Sequence, residues 1–118
     1  MAGFTTAFSR TTLDSAIVNG DVVRYSENGS SASTHVAATS IAAWDASTNA
    51  DPAHRKNTAA VDSAGSDADN IAISHFSVWD SGSSVQKSDW TVLGGGTRTL
   101  MIGDKISWAA GAIDVTMT

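Results

Sequence analysis

The residues of this chain able to do acid–base or nucleophilic chemistry are three histidines, a scatter of aspartates and many serines. Their spacing assembles none of the usual catalytic arrangements. No Gly-x-Ser-x-Gly elbow exposes a serine at a strand-to-helix turn. His75 sits among apolar residues and is expected in the core or between strands, whereas His35 and His54 lie in polar surroundings and are expected at the surface. Asp62, Asp67 and Asp69 form an acidic cluster in a Ser/Gly-rich stretch. That cluster lacks the alternating ligands, central Gly and closing Glu of a calcium loop, so it reads as a solvated turn. Asp80 precedes Ser81-Gly82 and reads as a carboxylate that caps a turn. Gly94-Gly95-Gly96 is not followed by Lys or Ser/Thr at phosphate-loop spacing and reads as a flexible or bulged connection. The absence of cysteine excludes a disulfide scaffold and a Cys-ligated zinc. The expectation is a chain with no catalytic residues, no metal and no cofactor. Stacking of sugars on Trp44, Trp79, Trp90 or Trp108 is the one small-ligand alternative, and a core short of large residues claims most of those rings for itself.

Length and composition set the frame for that reading. With 118 residues the chain fits a single domain able to bury a modest core. Apolar residues are 42% of the total and alanine supplies much of that share, so the core must lean on the tryptophans, Phe4, Phe8, Phe76 and the Ile, Val and Leu positions. Charged residues are only 16%, below the usual share of about 25%. A Ser/Thr surface of this kind repels neighbours weakly and suits repeated close contact. The net charge of −5 opposes a duplex-binding role, and the basic run is limited to His54-Arg55-Lys56. No nucleic-acid partner is expected. No charged start followed by an apolar run marks a signal peptide, and no stretch approaches the roughly 20 apolar residues of a membrane helix. Synthesis in a reducing cytosol and no membrane contact are expected.

The elements that would position these residues are short strands. Residues 1 to 10 read as an arm placing Phe4 and Phe8 on a neighbour, with a first strand or a helical turn as the alternative; residues 11 to 118 read as the folded domain. A short helix is expected over 11 to 18, capped by Thr11 or Thr12 and stopped by Asn19-Gly20. Strands are expected over 21 to 25, 35 to 44, 57 to 64, 71 to 80, 85 to 93, 97 to 102, 105 to 108 and 113 to 117. Asn28-Gly29 marks a turn. Residues 45 to 56, with the single proline Pro52, read as a long loop. In the segment 71 to 80, Ile71, Ile73, His75 and Trp79 share one face and Phe76 and Val78 the other, which implies a central strand or a bulge that switches faces. Gly103-Asp104 reads as the turn of a type II′ hairpin. Short strands at this spacing predict an all-β, antiparallel β-sandwich, jelly-roll-like or Ig-like, with at most one short helix.

Three ordered stretches carry a family resemblance: Asn57-Thr58-Ala59-Ala60-Val61, Ile73-Ser74-His75-Phe76-Ser77-Val78-Trp79-Asp80, and Gly103-Asp104-Lys105-Ile106-Ser107-Trp108-Ala109-Ala110-Gly111-Ala112-Ile113-Asp114-Val115-Thr116. Together they resemble small virion proteins of tailed bacteriophages, variously labelled head decoration, minor capsid, minor tail or tail fibre proteins. The resemblance covers about residues 57 to 118. It implies a β-sandwich on the outside of a phage particle and no catalytic residues. The polar, Pro-containing 45 to 56 stretch and Asp67-Ala68-Asp69-Asn70 depart from the pattern, which leaves the position on the virion open.

The expected function is therefore that of a capsid decoration protein, a minor capsid component that binds the major capsid protein lattice from outside and stabilises capsomer contacts. Its partners would be the major capsid protein and further copies of itself, grouped as a trimer. Many copies on one lattice let a modest contact act multivalently. Phe4, Phe8, Arg10, Pro52, His54 and Arg55 are the candidate interface residues. A tail or fibre component, and a host- or carbohydrate-binding module, are the alternatives.

Overall fold

Thr5 opens the described chain by capping a helix: its hydroxyl accepts the Phe8 N–H at 3.2 Å, and α1 follows over Thr6–Ala16. The structure, a computed structural model, describes residues 5–48 and 53–117. Leu13 and Ile17 lie four apart at the C-terminal end of α1 and are both buried, which sets that end against the body of the domain. Each burial of this size stabilises the docking by about 1.5–3 kcal/mol.

The strands are β1 (Val22–Ser26), β2 (Thr39–Ser40), β3 (Ala53–Lys56), β4 (Val61–Asp62), β5 (Ile71–Ile73), β6 (His75–Trp79), β7 (Thr91–Val92), β8 (Arg98–Leu100), β9 (Ser107–Trp108) and β10 (Asp114–Met117). Every described pairing is antiparallel. The class expected from the sequence is met: an antiparallel all-β chain with one short helix. Among the described residues, four strands form a sheet in the order β2-β1-β6-β7, and three two-stranded sheets pair β10 with β3, β4 with β9, and β5 with β8. β1 is buried on both faces, with Val23 and Tyr25 fully enclosed, which fits its place inside the largest sheet. The helix packs on β3 and β10.

One core joins all four sheets. Val23, Tyr25, Ile73, Val78, Leu100, Ile106, Trp108 and Ile113 belong to the same buried cluster. Trp108 stacks on Tyr25 with ring centroids 6.5 Å apart and meets Phe76 edge-on at 4.9 Å. Its indole N–H donates to the Tyr25 hydroxyl at 3.0 Å, and that hydroxyl shares a second hydrogen bond of 2.7 Å with Thr39 Oγ1. Burial raises the Tyr25 hydroxyl above its ordinary value, because a phenolate has no water there, with the two hydrogen bonds opposing the shift.

Several expectations are corrected. The helix starts at Thr6 and ends at Ala16, so it crosses the expected boundary between arm and domain, and its cap is Thr5 rather than Thr11 or Thr12. The expected loop at 45 to 56 contains β3, whose His54 and Arg55 were read as loop residues. Its sequence lacks apolar alternation because much of its side-chain bonding is polar and runs to the helix and β10. Of the expected strand at 35 to 44 only Thr39–Ser40 pairs in a sheet, with Trp44 forming an isolated bridge to Asn57. The expected strand at 85 to 93 shortens to Thr91–Val92. Gly103 sits at the third position of a turn closed by Asp104 N–H to Met101 C=O at 2.9 Å, with φ +87°, which is the type II requirement. The strands on either side of it do not pair with each other, since β8 joins β5 and β9 joins β4.

The second half of the stretch at 71 to 80, β6, is a central strand, one of the two readings of its two-faced apolar pattern, and the stretch also changes partners, which the pattern did not imply. Ser74 interrupts it: its N–H donates to Ser26 C=O at 2.9 Å and its carbonyl accepts Leu93 N–H at 3.0 Å. β5 before it then pairs with β8, and β6 after it pairs with β1 and β7. A Cβ at Gly65 would lie 3.0 Å from the Gly103 carbonyl oxygen, so the 65 to 70 loop closes on the 101 to 104 turn only because residue 65 has no side chain.

Candidate docking groove

Of the residues singled out from the sequence, Phe8 and Arg10 fall on α1 and His54 and Arg55 on β3, two elements that pack together. Phe8 lies on the helix and is 53% exposed. Arg10 is half-buried on the same helix, and its carbonyl accepts the Ser47 hydroxyl at 3.4 Å. His54 on β3 places Nδ1 3.0 Å from Asp114 Oδ1 and 3.2 Å from Thr116 Oγ1, both on β10. Phe4 and Pro52 lie outside the described residues.

Arg55 is held by its own chain. Its side chain is 13% exposed. Nη1 donates to the carbonyls of Asp14, at 2.8 Å, and of Ile17, while Nε donates to the carbonyl of Asp45 at 2.8 Å. The last carbonyls of a helix have no partner within it, and a cation there also opposes the negative end of the helix dipole. Arg55 therefore fastens α1 to β3, and its bonding face is inward.

Most of the remaining polar candidates are also tied within the fold. His35 Nδ1 is 2.7 Å from Asp67 Oδ1, and Asp69 accepts the Ile102 N–H at 2.9 Å, so the acidic stretch links two loops. Asp80 caps its turn as expected: its carboxylate accepts the N–H groups of Ser84 and Val85 and the Ser84 hydroxyl. The bonds from Val85 and Ser84 hold its carboxyl below the ordinary carboxylate value. His75 is half-buried, with Nδ1 2.7 Å from Ser74 Oγ and its ring against Gly29. Trp44 and Trp108 are buried; Trp79 has the Arg24 guanidinium over its ring at 4.6 Å and Trp90 beside it at 6.2 Å. That arrangement occupies the Trp79 ring with side chains of the same chain.

An apolar groove of about 500 Å³ opens between β6–β7 and the segment from β9 to β10. Phe76, Leu93, Ile106 and Trp108 supply its apolar surface, Val92 stands at its rim 62% exposed, and Arg98 and Asp114 are its charged members. Asn57, 2% exposed, shapes the β9–β10 wall from behind: its amide donates to the carbonyls of Ala59 and Ala109 and accepts the Ile113 N–H at 2.9 Å. Ala109 and Ala112 line the groove beside it. Among the described residues, no helix is long and apolar enough to cross a membrane.

Neither protein-family models, curated proteins nor solved structures provide a match to this chain. The groove is not legible in the sequence because its walls come from residues 76, 91 to 94, 98, 106 to 109, 112 and 114, which only the non-local pairing brings together. The local signal is the strand expected over 85 to 93, of which only Thr91–Val92 pairs in a sheet.

Proposed function

We propose that this chain is a structural protein of a bacteriophage particle, docking on the outside of the major capsid protein lattice and reinforcing contacts between capsomers. The observation that carries this reading is the open apolar groove, on a chain most of whose polar candidates for chemistry are tied up in loop and strand bonding. Small apolar grooves with a few polar groups are places where proteins take hold of something. The sparse charge of the chain supports close packing of many copies.

The resemblance to small phage virion proteins supports the same reading through the framework. Its quoted residues Ile73, Val78, Ile106, Trp108 and Ile113 are buried core, and Phe76 and Trp108 reach the groove. A modest groove suffices when a lattice presents the same contact many times. The Phe8 face of α1 is a second candidate contact.

The test is the particle itself. Purified virions, separated by electrophoresis and quantified by mass spectrometry, are expected to contain this chain in fixed proportion to the major capsid protein. Copies limited to the few of a tail structure would move the chain to the tail, and its absence from virions would end the proposal.

A further inference from the structure

The groove is bordered by backbone as well as by side chains. β7 is the outer strand of the four-stranded sheet, paired with β6 in the register Phe76↔Thr91 and His75↔Val92. In an antiparallel ladder, residues alternate between exchanging hydrogen bonds with the neighbour and pointing away from it. The Val78 carbonyl accepts from Lys87 and Ser88, and the Ser74 carbonyl accepts Leu93 N–H. Phe76 and Val78 of β6 therefore turn their backbone toward the β7 side, and so does the Ser74 carbonyl, while the Ser74 N–H faces β1. Thr91 and Leu93 bond back to them, and Val92 turns its N–H and C=O outward, away from β6.

The facing wall repeats the arrangement. β9 pairs with β4 as Val61↔Trp108 and Asp62↔Ser107, and the next pair is bonded, Ser63 N–H to Ile106 C=O at 2.8 Å. By the same alternation Ser107 turns its backbone away from β4. Val92 and Ser107 both line the groove. Unpaired strand edges beside an apolar floor are the recognition mode for an extended chain.

Charge narrows the occupant. The Asp114 carboxylate already has His54 Nδ1 at 3.0 Å, whereas the Arg98 side chain is exposed and its guanidinium has no hydrogen-bond or ion-pair partner among the described residues. Among the described residues, the charged donor of this groove still without a partner is therefore the Arg98 guanidinium.

We propose that the groove between β7 and β9 accepts an extended segment of a neighbouring protein, added as a strand along the Val92 edge, with apolar side chains over Phe76 and Trp108 and a carboxylate set against Arg98. The proposal builds on the groove as a docking face, and it is tested on the purified chain without the particle.

A displayed library of random peptides is panned against the purified full-length chain, and labelled copies of the recovered peptides are titrated by fluorescence anisotropy. Recovered sequences are expected to alternate apolar residues and to carry Asp or Glu toward one end. Val92→Pro removes an N–H that β6 does not use. It is expected to weaken binding by at least roughly tenfold while circular dichroism stays unchanged. Arg98→Gln is expected to weaken binding by about threefold to tenfold and to flatten its salt dependence. Ile102→Thr, at an exposed apolar position outside the groove, is expected to leave affinity unchanged. Should Val92→Pro unfold the chain, hydrogen exchange on the unmodified protein decides, with slowed exchange at the Val92 and Ser107 amides on peptide binding as the expected result. Recovery of no peptide, or binding that leaves those amides unprotected, overturns the strand addition. Binders without an acidic residue, indifferent to Arg98→Gln, overturn the carboxylate. A chain that binds peptides in this way yet is missing from virions would leave this inference standing and remove only the particle assignment.

Discussion

At the residue scale, the reassignment of Arg55 matters most. A basic residue in a polar stretch reads as a surface contact, and the geometry makes it an internal fastener for three carbonyls on two segments. Arg55→Ala leaves those carbonyls without their donor, two of them at the helix end. A loss of about 2–3 kcal/mol is expected, read as a lowered urea midpoint at unchanged slope. Arg55→Lys keeps the charge but not the fork that spans the carbonyls, so it is expected to recover less than half of that loss. A midpoint equal to that of the unmodified chain would return Arg55 to the surface. Asp80 gives a prediction in pH. Its folded carboxyl is held below the ordinary value of 3.8 by N–H and hydroxyl donors. A depressed value contributes stability above the unfolded value, and that contribution disappears as pH falls through the folded one. Asp80→Asn keeps an oxygen for the turn but cannot titrate. Stability measured on acidification from about pH 5 is expected to fall less steeply in the variant below about pH 4. Parallel curves would show that the turn is indifferent to the carboxylate.

At the element scale, the helix decides how the N-terminal region should be tested. Deleting residues 1 to 9 removes the Thr5 cap and the first turn of α1, so it perturbs Leu13 and Ile17 in the core as well as Phe8. Such a deletion is expected to destabilise the whole domain, and reduced occupancy on particles would then say nothing about an arm. Thr5→Ala isolates the cap and is expected to cost about 1 kcal/mol in a denaturant titration; no change would show that the first turn frays without consequence. The same element shows how much of the fold was legible. β1, β10 and the two halves of the 71 to 80 stretch were readable because β-branched and aromatic residues are dense there. The helix began early because Thr and Ser, weak helix formers that also favour caps, fill its first half and hide the true start. β3 was illegible because Ala-His-Arg-Lys carries no apolar period and its strand character comes from pairing with β10. The Gly103 turn was recognised as a turn, but its flanking strands find partners about 27 and 45 residues upstream, which no local pattern announces. The groove inherits that non-locality, whereas the legible polar residues mostly tie loops, strands and the helix end to one another.

At the scale of the whole molecule, the four sheets are too small to stand alone. Three of them have two strands each, and an isolated pair of that size is marginal in water. Their stability is borrowed from the shared cluster, in which Trp108 touches Tyr25 of one sheet and Phe76 beside the groove while belonging to another sheet itself. Such a fold should have no half-unfolded state of consequence, because melting any one sheet opens the core of the others. The tryptophans make this measurable, since Trp44 bridges to Asn57 near β3, Trp108 sits in the shared core, and Trp79 and Trp90 contact each other at the end of β6. Three variants, each keeping one of Trp44, Trp79 or Trp108 and carrying Phe at the other tryptophans, are expected to show fluorescence transitions in urea that coincide with the loss of circular dichroism in the same variant. An earlier transition reported by Trp44 alone would mean that α1 and the β3–β10 pair form a separate unit. The groove would then be a seam between two bodies that move, and a strand added there would bind by closing it.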